Sequence, residues 1–191
     1  MTQVTGRRPS AWNVANAVTV LRLVLVPLFA WLLLAEDGTN ATLRILAFAV
    51  FAVAALTDKI DGELARRRAL VTDFGKIADP IVDKALIGAA LIGLSLIGEL
   101  AWWVTVVVLV REIGITVLRF WMIRYAVIPA SPGGKAKTLL QSLAIGLYLL
   151  PVEGFVRLLA EVAMAAAVAL TVGTGVDYVV RAVRIRRTGR A

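Results

Sequence analysis

Apolar residues run through this chain in blocks of about twenty, each closed by a short polar or glycine-containing break. The blocks fall near 17–35, 43–62, 75–98, 101–123, 138–152 and 156–180, the fifth being the shortest. About twenty residues at a rise of about 1.5 Å cross roughly 30 Å of hydrocarbon, so each block has the length of a membrane span. Within them Leu, Ala, Val and Ile are continuous rather than alternating, which predicts helices and not barrel strands. The breaks fall at Glu36-Asp37-Gly38, in the basic stretch after Arg66, at Gly98-Glu99, from Pro129 to Gly134, and at Glu153-Gly154.

Composition agrees with a bilayer as solvent: 60% of residues are hydrophobic and the mean hydropathy is +0.84. The expectation is an all-α integral membrane protein with six transmembrane helices, a single domain over 1–191 with short terminal tails. The N-terminal stretch lacks the short apolar core and small-residue cleavage site of a removable signal, so the first helix is expected to be retained. Basic residues cluster on one side: Arg7 and Arg8; Arg66, Arg67, Arg68 and Lys76; Arg124, Lys135 and Lys137; Arg184, Arg186, Arg187 and Arg190. The positive-inside rule makes that side cytoplasmic, with both termini there and Glu36, Asp37, Glu99 and Glu153 opposite. Topology and attraction to anionic headgroups account for most of the net charge of +8. With no soluble domain to carry a basic face, nucleic acid is not an expected partner.

Charge inside the apolar blocks is more informative. The stretch TDKIDGELARRRALVTDFGKIADPIVDK sets Asp58 and Asp61 three residues apart near the end of the second block, and Asp79 and Asp83 four apart in the third. Each pair shares a helical face, and intramembrane carboxylates are costly enough to be rarely idle. If the two helices are neighbours, four carboxylates converge in a water-accessible site near the cytoplasmic surface. The chain contains no histidine and no cysteine, so the ions that such a set attracts are hard ones, Mg²⁺ or Mn²⁺, and two would suit four aspartates. Paired cations are a recurrent device of phosphoryl chemistry. Gly62 and Gly75 would allow close approach of backbone or substrate, and Arg66, one turn past Asp61, would meet a phosphate. The plainer alternative is a set of interhelical salt bridges with Arg66, Lys76 and Lys84.

Read as a motif, the stretch is DxxDGxxAR, eight residues, then GxxxDxxxD, carried by Asp58, Asp61, Gly62, Ala65, Arg66, Gly75, Asp79 and Asp83. It resembles the signature of the CDP-alcohol phosphotransferase family at every fixed position. The resemblance implies the fold of that family, a six-helix membrane protein, generally a homodimer. Its site would open to the cytoplasm and bind a CDP-linked substrate through two divalent cations. It further implies that Asp58, Asp61, Asp79 and Asp83 are metal ligands, that Asp83 is also the general base, and that Gly62, Arg66 and Thr72 contact the nucleotide and its pyrophosphate.

The acceptor alcohol must be sought outside that signature. NAVTVLRLVLVP, with Asn16, Thr19, Arg22 and Pro27, REIGITVLR, with Arg111, Glu112 and Arg119, and SPGGKAKTLLQ, with Lys135 and Lys137, resemble the bacterial branch of the family that uses glycerol 3-phosphate. That branch would take CDP-diacylglycerol as donor and sit in the bacterial cell membrane. Asn16 and Thr19 would serve the cytidine end, or alternatively cap a helix. Arg111, Arg119, Lys135 and Lys137 would hold the acceptor phosphate. Otherwise Arg111 simply pairs with Glu112 and the lysines flank a span. Inositol phosphate and phosphatidylglycerol are the other acceptors to consider. TGVDYVVRAVR near the end is also similar, and Asp177 within it reads as a helix-end charge.

Overall fold

The computed structural model describes the backbone of residues 14–67, 73–122 and 132–188, and the side chains of 19–57, 81–82, 84–122, 133–134 and 136–186. The described residues form six α-helices and one 3₁₀ turn, with no strand among them. The helices are α1 (Val14–Leu34), α2 (Ala41–Arg67), α3 (Asp73–Leu96), α4 (Trp102–Met122), α5 (Pro132–Leu149) and α6 (Phe155–Thr188). Helix α1 packs on both α2 and α3, α5 packs along α6, and α4 closes against α6 and α3. Among the described residues α2 and α3 touch only sparingly, so α1 and α5 are the elements that join them.

Helix ends follow local chemistry. Between α1 and α2 the chain turns through Glu36, Asp37 and Gly38, all at positive φ (52°, 53° and 69°). Gly38 is buried there, and a Cβ on it would lie 2.8 Å from the Ile97 side chain, so only glycine fits. Asn40 then caps α2, its Oδ1 accepting from the Leu43 amide at 3.2 Å. Helix α3 ends on Gly98 at φ 76°, with Gly98 N–H donating to Ser95 O (3.2 Å) and Glu99 N–H to Leu94 O (2.9 Å), the paired bonds of a Schellman stop.

Three boundaries lie five or more residues from the hydrophobic pattern, one of them the end of α2, which runs on to Arg67 instead of stopping near 62. Helix α5 starts at Pro132 and not near 138, so Gly133 to Lys137 belong to its first turns. Proline suits a first helical position, and packing along α6 outweighs the poor propensity of two glycines. Helix α6 continues to Thr188, past the end of its apolar block near 180, because its basic tail is helix-compatible although not hydrophobic. Asp177 is therefore not at a helix end; it is exposed within α6 and accepts from Arg181 one turn on, at 2.9 Å.

The core is apolar, with Phe29, Leu33, Leu91, Leu94, Ile145 and Leu149 fully buried and Phe29 tilted on Phe51 at a 5.8 Å ring separation. The outside is apolar as well. Phe155 is 78% exposed, Phe120 70% and Trp31 64%, with Val, Leu and Ile around them. A water-soluble chain would not carry such a belt; a bilayer removes its cost. Among the described residues two helical stretches, Thr19–Gly38 and Phe155–Arg186, suffice by length and composition alone to cross a membrane, and shorter apolar stretches occupy Ala41–Thr57 and Lys84–Leu96.

Candidate functional site

Arg67 closes α2 and Asp73 opens α3, so both acidic pairs stand at the same end of the bundle. Asp61 and Asp79 are each six residues, about 9 Å, in from those ends; Asp58 and Asp83 are about 14 and 15 Å in. The depths match, and both helices pack on α1. The side chains of Asp58, Asp61, Asp79 and Asp83 lie outside the described set, as do those of Asn16, Gly62, Arg66, Gly75 and Lys135, and Thr72 falls outside the described residues altogether. Among the described residues no group of three or more His, Cys, Asp or Glu side chains gathers elsewhere. An all-oxygen set on two helices at equal depth is suited to hard divalent cations.

Helix α1 is already formed at Val14, which puts Asn16 and Thr19 inside it and not at its cap. Thr19 is buried, and Arg22, one turn further, is buried too. Polar side chains sunk in an apolar helix that packs on both acid-bearing helices are placed to serve the same end of the bundle.

The basic residues of α4 and α5 are partly brought together. Arg111 donates from Nη1 to Glu112 Oε1 at 2.8 Å, from Nε to the Thr171 carbonyl at 3.2 Å and from Nη2 to Thr174 Oγ1 at 2.8 Å, so it bridges α4 to α6. Its stem lies on Gly175, where a Cβ would come within 3.2 Å of Arg111 Cγ. Lys137, buried on α5, donates to the same Glu112 Oε1. Two cations on one oxygen stand within about 5–6 Å of each other. Lys84 on α3 donates to Thr116 Oγ1, which in turn donates to the Glu112 carbonyl at 2.7 Å. Arg119 is exposed, two turns beyond Arg111, and does not join this group. The Arg111–Glu112 pairing anticipated as the plainer alternative is therefore present, but as half of a shared arrangement. A cavity of about 260 Å³ opens between α3, α4 and α5, with Lys84, Glu112, Lys137 and Gln141 as its polar lining and Ile81 and Leu109 among its apolar walls.

Glu112 as common anchor and Gln141 were not assigned roles from sequence, and Lys84 entered only as a salt-bridge partner in the plainer alternative for the acidic stretch. Gln141 follows Lys137 by one helical turn, and that shared face was the available signal. A second polar cluster, also unforeseen, lies at the opposite end. There Glu99, in the turn after α3, accepts from both Arg44 of α2 and Arg157 of α6. Arg44 also donates to the Tyr148 and Leu149 carbonyls at 2.7 and 3.3 Å, satisfying the end of α5. Arg157 stacks over the Tyr148 ring at 4.6 Å. Burial alone would raise the Glu99 pKa, but the hydrogen bonds and charges of Arg44 and Arg157 outweigh it and hold the carboxyl below its ordinary value.

An apolar-surfaced helical bundle with two acidic pairs on helices that end together and basic side chains gathered on the adjoining helices fits a membrane enzyme acting on phosphorylated substrates. The family profile for CDP-alcohol phosphatidyltransferase matches residues 12–173, and the chain belongs to that family. Divalent-cation dependence is general in it. Relatives agree over nearly the full length. The chain is 55% identical to a probable phosphatidylglycerophosphate synthase of Mycobacterium tuberculosis over 182 residues, 95% of this chain and 87% of the relative. It is 34% identical over 180 residues to the CDP-diacylglycerol–glycerol-3-phosphate 3-phosphatidyltransferase of Bacillus subtilis, 87% of this chain and 93% of that one. With the enzyme of the same name from Haemophilus influenzae the identity is 33% over 175 residues, 87% and 91% of the two chains.

Proposed function

We propose that this chain transfers the phosphatidyl group of CDP-diacylglycerol to glycerol 3-phosphate, giving phosphatidylglycerophosphate and CMP. The observation that carries the acceptor is the gathering of Arg111 and Lys137 on Glu112, with Lys84 beside them. It occurs on the helices next to the one that bears Asp79 and Asp83. A phosphorylated acceptor needs such cations, and an uncharged alcohol does not. The names of the relatives support the same pair of substrates.

In this reading the C1 hydroxyl oxygen of the acceptor attacks the phosphorus that bears diacylglycerol, the bond from that phosphorus to CMP breaks, and Asp83 takes the hydroxyl proton. Asn16, Thr19, Gly62, Arg66, Thr72 and Gly75 hold the nucleotide and pyrophosphate; Arg111, Lys135 and Lys137 hold the acceptor phosphate. Arg119, exposed and apart from the cluster, is kept for the outer approach of the anion. Asp58, Asp61, Asp79 and Asp83 would hold two divalent ions, Mg²⁺ or Mn²⁺, whose positive charge offsets that of the pyrophosphate and of departing CMP. The chain's own share is orientation and preorganised charge. All six helices cross the bilayer in this proposal, with both termini and the site on the cytoplasmic side of a bacterial cell membrane, and two copies associate.

The test is purified protein in detergent micelles with CDP-diacylglycerol and one radiolabelled alcohol at a time. Glycerol 3-phosphate should give a labelled lipid and stoichiometric CMP. Faster transfer to inositol phosphate or phosphatidylglycerol would overturn the choice of acceptor.

A further inference from the structure

Gln141 lies one turn after Lys137 on α5 and is 3% exposed, yet its Oε1 has no hydrogen-bond partner. Gln141 is among the residues that line the cavity between α3, α4 and α5, together with Lys84, Glu112 and Lys137. A buried amide oxygen left without a donor is costly, so the position implies a donor that arrives with a ligand. A neutral donor suits the position, because a further cation would face Lys84 and would have to compete for the Glu112 carboxylate that Arg111 and Lys137 already share. It must also belong to a molecule that tolerates cations and apolar walls together, the latter supplied by Ile81, Leu109 and Ile113. A hydroxyl on a short carbon chain next to a phosphate meets all of these conditions.

We propose that this cavity receives the carbon chain of the acceptor and that Gln141 accepts a hydrogen bond from its C2 hydroxyl, making Gln141 a specificity-determining residue. The inference rests on glycerol 3-phosphate being the acceptor. Along α3 the cavity is bounded by Ile81, Lys84 and Ile87, and Ile87 follows Asp83 by one helical turn, so this wall borders the stretch of helix that carries the residue assigned to the C1 hydroxyl. An acceptor that keeps the C1 hydroxyl and the phosphate but lacks the C2 hydroxyl would still react, leaving the Gln141 oxygen unpaired. Sites built to hydrogen-bond a hydroxyl reject the analogue without it strongly.

The experiment compares glycerol 3-phosphate with 3-hydroxypropyl phosphate, which differs only by that hydroxyl, in the full-length protein. The unaltered enzyme should prefer glycerol 3-phosphate by roughly 10- to 100-fold in kcat/KM. Gln141→Leu should lose most of that preference by weakening use of glycerol 3-phosphate, with turnover of the analogue little changed. Gln141→Glu, which keeps an acceptor oxygen, should retain more of the preference. Equal use of the two acceptors by the unaltered enzyme overturns the inference without any variant, as does a Gln141→Leu enzyme that keeps the full preference. Failure of the unaltered enzyme to use glycerol 3-phosphate at all would overturn the acceptor reading and this inference together, a different outcome from equal use of both.

Discussion

Replacing Glu99 by Gln should loosen the bundle at the end remote from the site without touching the chemistry. The Glu99 carboxylate is the shared acceptor for Arg44 and Arg157, and their side chains are 23%, 9% and 30% exposed, respectively. Breaking a fully buried ion pair costs about 3–5 kcal/mol, and an exposed one about 0–1 kcal/mol. Arg44 sits near the first limit and Arg157 nearer the second. Both guanidinium groups keep other acceptors: Arg44 the Tyr148 and Leu149 carbonyls, Arg157 the Glu99 carbonyl at 2.9 Å and Glu161 at 3.2 Å. The expected loss is intermediate, about 2–3 kcal/mol. For a chain of this length that lowers Tm by about 5–10 °C. The pH dependence has a definite sign, because the folded-state pKa of Glu99 lies below its ordinary value of 4.5. Its contribution is complete above that pH and is lost as pH falls through the lower folded value. The gap in Tm between the unaltered protein and Glu99→Gln should therefore be constant at neutral pH and narrow below about pH 4.5. Tryptophan fluorescence melts in detergent micelles measure it, with transfer activity per folded molecule unchanged. A variant that melts within about 1 °C of the parent at pH 7 would refute the reasoning.

Chelation with EDTA should abolish transfer and Mg²⁺ or Mn²⁺ should restore it; full activity after exhaustive chelation would contradict a carboxylate metal site. Asp83→Asn should cut turnover by about 10² or more while CDP-diacylglycerol still binds, whereas Asp58→Asn should lose rate and metal affinity together. Lys135→Ala should raise the acceptor KM several-fold with the KM for CDP-diacylglycerol little changed. A change confined to the lipid substrate would move Lys135 out of the acceptor site.

What the sequence disclosed about the fold was what hydropathy and turn chemistry encode locally. The breaks at Gly38, Gly98 and Gly154 coincide with the positive-φ turns, because only glycine reverses the chain there cheaply. The start of α5 was hidden, since Pro132-Gly133-Gly134 reads as a breaker until the neighbouring helix is present to pack against it. The acidic residues were legible as two pairs, because a spacing of three or four on a helix puts each pair on one face; their similar depth follows only from where α2 closes and α3 opens. The partnership of Glu112 with both Arg111 and Lys137 was not, for it joins residues 25 apart across two helices, and spacing alone offers no reason to choose that partner. Glu99 was read as an acid on the base-poor side. Arg44 and Arg157, respectively 55 and 58 residues away in sequence, are what make it a clasp.

Helix α6 has 34 residues and so a length of about 51 Å, well beyond the roughly 30 Å of a hydrocarbon layer. Arg157, in its first turn, is fastened to Glu99, so the excess emerges at the end where α2 closes and α3 opens. That overhang bears Arg181, Arg184 and Arg186, and Arg186 lies over the Trp121 ring near the end of α4, 5.3 Å from its centre. Arginines and an interfacial indole seek the lipid phosphate layer and resist moving above or below it. Under the proposed six-span placement the helix would therefore work as a float line, fixing how low the protein rides and keeping the acid-bearing turns of α2 and α3 near the phosphates of surrounding lipids. In that proposal a lipid substrate drifting in from the side would meet the carboxylates at its own height, and its acyl chains would never have to leave the bilayer.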